Sequence, residues 1–338
     1  MKAAVYKGNQ TILIEEIDIP KPGPKQVLIK VNFSAICGTD VHAYMYDALP
    51  IGTVMGHEYC GSIVEIGKDV TKLKVKDRVV GGGGTPPPGK GAGFAILPRF
   101  NFRTDGFKGK PLRAYAEYVV MEEWEPMKIP DSVSDQHAAL CEPLAVAVRA
   151  IRLSKLSIGN KIGIIGAGPI GLFVTQVSKI SGALEIIVSE PAKLRRKTAK
   201  LLGATKTLDP NESNIIEEMV SICDGLGPDI VYDCACIGET FNDSLNSAKR
   251  NGQVMLVGVP WNNMFFKPID WQAREINIQS TFGAHPEDWK IAMKLIETKK
   301  VDLDILLPKK SYIQLEEIPK VFENLKNPTD ELQMIVKL

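Results

Sequence analysis

The chain lacks what several classes of protein require. No apolar run approaches the ~20 residues that cross a bilayer, so no membrane-spanning helix is expected. Charge of one sign is never concentrated: Lys+Arg of 41 meets Asp+Glu of 40 for a net charge of +1, which argues against nucleic acid and acidic membranes as partners. Cysteine is sparse, with Cys37, Cys60, Cys141, Cys223, Cys234 and Cys236 scattered along 338 residues. A disulfide framework needs a short, Cys-dense chain, so free thiols in a reducing compartment are expected, with one or two open to a metal. A signal-peptide layout is also missing. Met1 to Tyr6 reads directly as an edge strand, and a cytoplasmic location is the expectation.

What is present is the composition of a globular protein, 44% hydrophobic and 24% charged, in a chain longer than one core usually serves. Two domains are therefore expected. The first ~80 residues read as short antiparallel strands, at 11–17, 26–31 and 59–66, closed by Gly, Pro and Asp. Residues 81–111 read as a long Gly/Pro-rich loop, and 114–120 as a returning strand. From about residue 150 apolar strands alternate with helices: strands at 161–165, 184–188, 229–233 and 253–257, helices at 170–181 and 193–202. That alternation predicts a parallel, doubly wound sheet. Helices near 289–298 and 315–325 close the chain.

Gly166-Ala167-Gly168-Pro169-Ile170-Gly171 falls where a strand hands over to a helix. The spacing suits a tight turn, backbone approach to a pyrophosphate, and close helix–sheet packing, with the phosphates at the helix N-terminus. Glu190, nineteen residues beyond Gly171 at the end of the next strand, is placed to accept hydrogen bonds from the adenosine ribose. An acid there favours NAD over NADP, because it would repel a 2′-phosphate. Lys193, Arg195 and Arg196 keep NADP open, although a solvated helix face explains them equally well.

Cys37-Gly38-Thr39-Asp40-Val41-His42, Gly56-His57-Glu58 and Cys141-Glu142-Pro143-Leu144-Ala145 are individually weak signals. A lone Cys is more often a small buried hydrophobe than a ligand. Together with the glycine motif and Val257-Gly258-Val259-Pro260, in this order and spacing, they resemble the zinc-dependent medium-chain dehydrogenase/reductase family of the alcohol dehydrogenase superfamily. The Glu-Pro-Leu element is similar to the sorbitol, butanediol and threonine dehydrogenase branch. The resemblance spans essentially the whole chain.

It implies an α/β fold: a GroES-like β-rich catalytic domain at 1–150 and 286–338, and a Rossmann domain at 151–285. It also implies hydride transfer between a secondary alcohol, diol or polyol and NAD(P), giving the ketone. Cys37 and His57 become zinc ligands, with Glu58 or Glu142 as the third, one bound and the other exchangeable. Two carboxylates and a thiolate bound at once would over-neutralise the metal. Asp40 matches a carboxylate that orients His57, with a helix N-cap as its alternative. Thr39 matches the start of a proton relay that ends at His42, which could equally be an inconsequential surface histidine. Val259 matches the backbone position that holds the nicotinamide carboxamide, and Arg195 a cation beside the adenosine ribose.

The chain departs from the family in one respect. Many members carry four closely spaced cysteines after a Gly-Asp-Arg-Val element. Here the element is Lys76-Asp77-Arg78-Val79, and 81–120 holds no cysteine, so one catalytic zinc and no structural zinc are expected. Phe94, Phe100, Phe102 and Phe107 stand in that loop instead, to anchor it, meet another subunit or border the cleft. Tyr44, Met45, Tyr46 and Phe282 are further candidates to shape a substrate pocket. A homo-oligomer, dimer or tetramer, is expected. The rival readings are a zinc-free quinone or enone reductase and a non-catalytic nucleotide-binding protein. Both sit poorly with an intact Cys, Gly-His-Glu and Thr39 set.

Overall fold

The computed structural model describes residues 1–85, 113–327 and 330–338, and the aromatic loop candidates Phe94 to Phe107 lie outside them. Two larger sheets organise the chain. The first follows Tyr312–Gln314, Ile335–Lys337, Gln26–Ala35, Glu58–Ile66, Arg78–Gly83 and Pro126–Lys128, with Tyr118–Glu122 joining one half of Gln26–Ala35. Its last two strands in sequence thus return to the N-terminal half of the chain. The second sheet is all parallel, in the order Lys206–Leu208, Glu185–Ser189, Lys161–Ile165, Ile230–Asp233, Gln253–Leu256 and Asn277–Ser280.

That second order runs outward in both directions from Lys161–Ile165, so the chain reverses between this strand and Ile230–Asp233. Nucleotides bind at such a switch point, beyond the carboxyl ends of the strands. The strand composition follows from the helices on both faces. Ile162, Ile164 and Ile165 are all buried, whereas a half-exposed strand would alternate. Helix Pro169–Ile180 starts with proline at its first turn and buries Leu172, Phe173, Val174 and Val177. Helix Lys193–Leu202 buries Thr198, Ala199 and Leu202, and stops at Gly203, which has φ of +130°. One apolar cluster runs from Ala35, Cys60 and Val80 through helix Cys141–Leu153 into Ile162, Phe173 and Met255, tying the two sheets together.

Several elements differ from the sequence expectation. Gly38–Met45 is a helix within the stretch read as short strands and turns. Lys2–Gly8 is no bare edge, since it pairs with Thr11–Glu16 and bridges Ala116 and Val54 on its other side. The returning strand is Tyr118–Glu122 rather than 114–120; Ala114 and Tyr115 turn to pack inward before it. Leu315–Glu317 is a 3-10 turn leading into helix Ile318–Leu325.

Gly81–Gly83, read as the start of a loop, instead completes strand Arg78–Gly83. The reason is close packing. A Cβ at Gly81 would lie 2.2 Å from the Tyr59 ring, and one at Gly82 would lie 2.7 Å from Trp289. Among the described residues no helix is long and apolar enough to cross a membrane.

Candidate active site

The antiparallel register of the first sheet builds the metal-ligating set. Strands Gln26–Ala35 and Glu58–Ile66 pair so that Ala35 stands opposite Glu58. Cys37, two residues past one strand end, therefore meets His57 and Glu58 at the start of the other. Ile36 fixes the approach: its N–H donates to Met334 O at 2.9 Å, and its carbonyl accepts from Gln333 Nε2 at 3.0 Å. Cys37 then caps helix Gly38–Met45, its sulfur accepting from Thr39 N–H at 3.4 Å.

One ligand atom each from Cys37, His57 and Glu58 lies within 4.8 Å of the others. Glu142, in the first turn of helix Cys141–Leu153, stands outside this set but close enough to act on Glu58 electrostatically. Burial, and then the Glu142 charge, push the Glu58 carboxyl up to about 8. Burial and the Glu58 charge push the Cys37 thiol up to about 11. Glu58 is only 2% exposed, and its Oε2 has no hydrogen-bond partner.

An unpartnered buried carboxylate oxygen beside a thiol and an imidazole is costly by itself. A divalent cation would relieve that cost. The sulfur, nitrogen and oxygen donors suit zinc, and three protein ligands leave a fourth position open.

Asp40 is not the helix N-cap; Cys37 holds that place. The Asp40 carboxylate is 1% exposed and lies with Oδ1 3.4 Å from His57 Nδ1. With Nδ1 so engaged, Nε2 is the nitrogen left for a metal. The other Asp40 oxygen accepts from the Tyr115 hydroxyl at 2.8 Å. Sequence reading missed Tyr115, which stands 75 residues away from Asp40. Gly56 of the Gly-His-Glu motif has φ of +95°, and a Cβ there would lie 2.7 Å from the Tyr115 ring.

The glycine motif occupies the switch point. Gly166 has φ of +90°, and helix Pro169–Ile180 approaches so closely that a Cβ on Gly171 would fall 1.9 Å from Gly166 O. Gly168, the N-cap, is different: a Cβ there would meet only Arg195 Nη1, at 3.9 Å. Space therefore remains at the N-terminus of this 12-residue helix, begun by Pro169 and Ile170, where the helix presents unpaired backbone N–H groups. Glu190 is buried beside it, accepting from Ala167 N–H at 2.6 Å and Ala192 N–H at 2.9 Å. Arg195 donates to Glu331 O at 2.8 Å, while Arg196 is committed to Asp209 at 2.6 Å and to Glu190 O at 2.7 Å.

The two sites meet. Val259 packs against the cluster that holds Ile36 and Val41, and Trp261 stacks on Tyr46 with ring centroids 5.4 Å apart. His42, half-buried, lies 5.9 Å from the Trp261 ring, and burial lowers its pKa. Thr39 is half-buried at the start of the same helix. Tyr44 does not shape a pocket: its ring packs on Tyr6 and Phe322, and its hydroxyl donates to Glu323 at 3.0 Å. Met45 also packs against that interior cluster, and Phe282 is exposed.

A thiol, imidazole and carboxylate set in a chain that also carries a glycine-rich turn at the switch point of a parallel sheet is the pattern of a metal-dependent nicotinamide oxidoreductase. Comparison with known proteins narrows the class. Residues 23–131 match the alcohol dehydrogenase GroES-like domain, and 169–298 match the zinc-binding dehydrogenase family. L-threonine 3-dehydrogenase of Pyrococcus horikoshii is 32% identical over 331 residues, covering 92% of this chain and 91% of the relative. Sorbitol dehydrogenase of Bacillus subtilis is 32% identical over 320 residues, covering 90% and 89%. The crystal structure of 2R,3R-butanediol dehydrogenase from Bacillus subtilis superimposes with a TM-score of 0.86 at 28% identity, covering 100% of this chain and 99% of that one. The chain belongs to the zinc-dependent medium-chain dehydrogenase family, and is an NAD(P)-dependent alcohol dehydrogenase.

Proposed function

We propose that the chain oxidises a secondary alcohol, diol or polyol to the ketone with NAD as hydride acceptor, at one zinc held by Cys37, His57 and Glu58. The buried, unpartnered Oε2 of Glu58 beside Cys37 and His57 carries this reading. Zinc bound there supplies Lewis acidity that lowers the pKa of an alcohol hydroxyl. Cys37 and Glu58 together balance the charge of a divalent cation. Glu142, outside the triad, serves as the exchangeable carboxylate. Asp40 orients His57.

The Thr39 hydroxyl receives the substrate proton as it gives up its own, and the relay ends at His42, half-buried three residues further along the same helix. The Gly166, Gly168 and Gly171 loop with the start of helix Pro169–Ile180 holds the pyrophosphate. Glu190 and Arg195 flank the adenosine ribose, and the Val259 backbone meets the nicotinamide. NAD is favoured over NADP because Glu190 would repel a 2′-phosphate, and because Arg196 is already spent on Asp209. A single zinc fits the absence of cysteine from 81–120.

The return of Tyr312–Gln314 and Ile335–Lys337 to the first sheet supports domain limits of 1–150 with 286–338, around 151–285. A homo-oligomer is supported by the edge strand Asn277–Ser280, exposed at every residue. Six free thiols accord with a cytoplasmic, reducing setting.

The test is metal analysis of the purified protein together with NAD reduction by a panel of secondary alcohols, diols, polyols and amino alcohols. Zinc-dependent NADH formation with one of these supports the reading. Zinc-free protein that reduces enones or quinones overturns it.

A further inference from the structure

We propose that Tyr115 is a positioning residue for the metal site, acting on His57 through Asp40; this rests on the zinc reading above. The geometry is a short chain of contacts. The Tyr115 hydroxyl donates to Asp40 Oδ2 at 2.8 Å, and Asp40 Oδ1 faces His57 Nδ1 at 3.4 Å. Both Tyr115 and Asp40 are sealed from solvent, at 0% and 1% exposure. A buried carboxylate needs its lone pairs filled, and the phenol fills one on the side away from the imidazole. The carboxylate is thereby held from behind, with its second oxygen aimed at the histidine.

The phenol is itself anchored. Tyr115 N–H donates to Met55 O at 2.9 Å, Ala114 N–H donates to Gly56 O at 3.1 Å, and Tyr115 O accepts from Ala4 N–H at 2.8 Å. These bonds fix the tyrosine against the two residues immediately before His57. Its ring lies edge-on to Phe322 at 5.9 Å, and fills the space that a side chain at Gly56 would need. Its hydroxyl is also 3.3 Å from Ala35 O, two residues before Cys37. Tyr115 therefore touches the backbone leading to both ligands and the carboxylate that turns one of them. Burial and the Asp40 charge keep the phenol protonated, as a donor must be.

The role separates from simple packing because it resides in one oxygen atom. Tyr115→Phe keeps the ring against Gly56 and removes only the donor. On zinc-loaded protein, transfer of the metal to a chromogenic chelator should be about tenfold faster than wild type. The d–d bands of the cobalt-substituted variant should shift, while KM for NAD stays unchanged. Should Tyr115→Phe fold poorly, 4-fluorophenylalanine incorporated at position 115 keeps the ring and still lacks the donor, and either variant alone gives the reading. In an Asp40→Ala background, Tyr115→Phe should add less than about twofold, since its route to His57 is gone.

Wild-type release rates and an unshifted cobalt spectrum in a folded hydroxyl-free variant would overturn the inference. A full tenfold effect in the Asp40→Ala background would do so too. Wild-type protein that binds no zinc would remove the underlying reading as well, so the two failures are distinguishable.

Discussion

Asp40 Oδ1 and His57 Nδ1 lie 3.4 Å apart in a pocket that water does not reach from the Asp40 side. The pair fixes which ring nitrogen of His57 remains for a metal. Carboxylates in this relation typically change metal affinity or activity by about 10- to 100-fold when removed. Asp40→Ala should lower zinc affinity within that range, measured by competition with a chelator of known strength. An unchanged affinity would mean that Asp40 serves only the helix it stands on.

Glu58 and Glu142 should separate cleanly. Only Glu58 belongs to the set of ligand atoms within 4.8 Å. Glu58→Gln should weaken zinc binding by at least about tenfold, and Glu142→Gln by less than about threefold. Isothermal titration of the two apo variants reads this directly, and the reverse ranking would move the third ligand to Glu142.

The space over Gly168 should be needed by the cofactor alone. Gly168→Ala adds a Cβ there that meets only Arg195 Nη1, at 3.9 Å. KM for NAD should rise by about tenfold or more, with zinc content and secondary structure unchanged. Unaltered KM would place the pyrophosphate elsewhere.

His42 sets a pH dependence. Burial lowers its pKa from 6.5, so the folded protein binds fewer protons there than the unfolded chain once pH falls below that value. Its contribution is fully present above about pH 6.5 and is lost as pH falls through the lower folded pKa. His42→Gln should therefore lose less Tm than wild type between pH 7 and pH 5, as followed by circular dichroism.

Asp233 works in the opposite sense. It is wholly buried at the carboxyl end of Ile230–Asp233, and burial pushes its carboxyl up to about 6 from 3.8. The folded state then holds more protons than the unfolded one between those values, and stability falls as pH rises through them. Asp233→Asn can keep the bonds from Ala235 and Cys236 N–H to its Oδ1. It should stabilise the protein at pH 7 by about 1–2 kcal/mol, and by little at pH 4. Equal Tm gains at both pH values would contradict this.

The parallel sheet was legible because its signal is local. Ile162, Ile164 and Ile165 mark a strand buried on both faces, and strand 161–165 and helix 193–202 match the sequence reading residue for residue. The glycine motif was legible because backbone geometry restricts each position to glycine. The short helix Gly38–Met45 was missed because eight residues opening on Gly-Thr-Asp carry little 3.6-residue periodicity. Gly81–Gly83 read as loop because glycine normally breaks strands; only the facing rings of Tyr59 and Trp289 explain it. Tyr115, and the inward turn of Tyr44, depend on contacts between segments far apart in sequence. No local pattern encodes those.

Zinc stoichiometry and alcohol-dependent NAD reduction, measured on wild type and Cys37→Ala side by side, give the decisive comparison. Wild type should hold about one zinc per chain and reduce NAD with a secondary alcohol or diol. Cys37→Ala should hold almost none, with turnover lowered by about 10³-fold or more. A Cys37→Ala variant that oxidises the same alcohol at the wild-type rate would contradict the account.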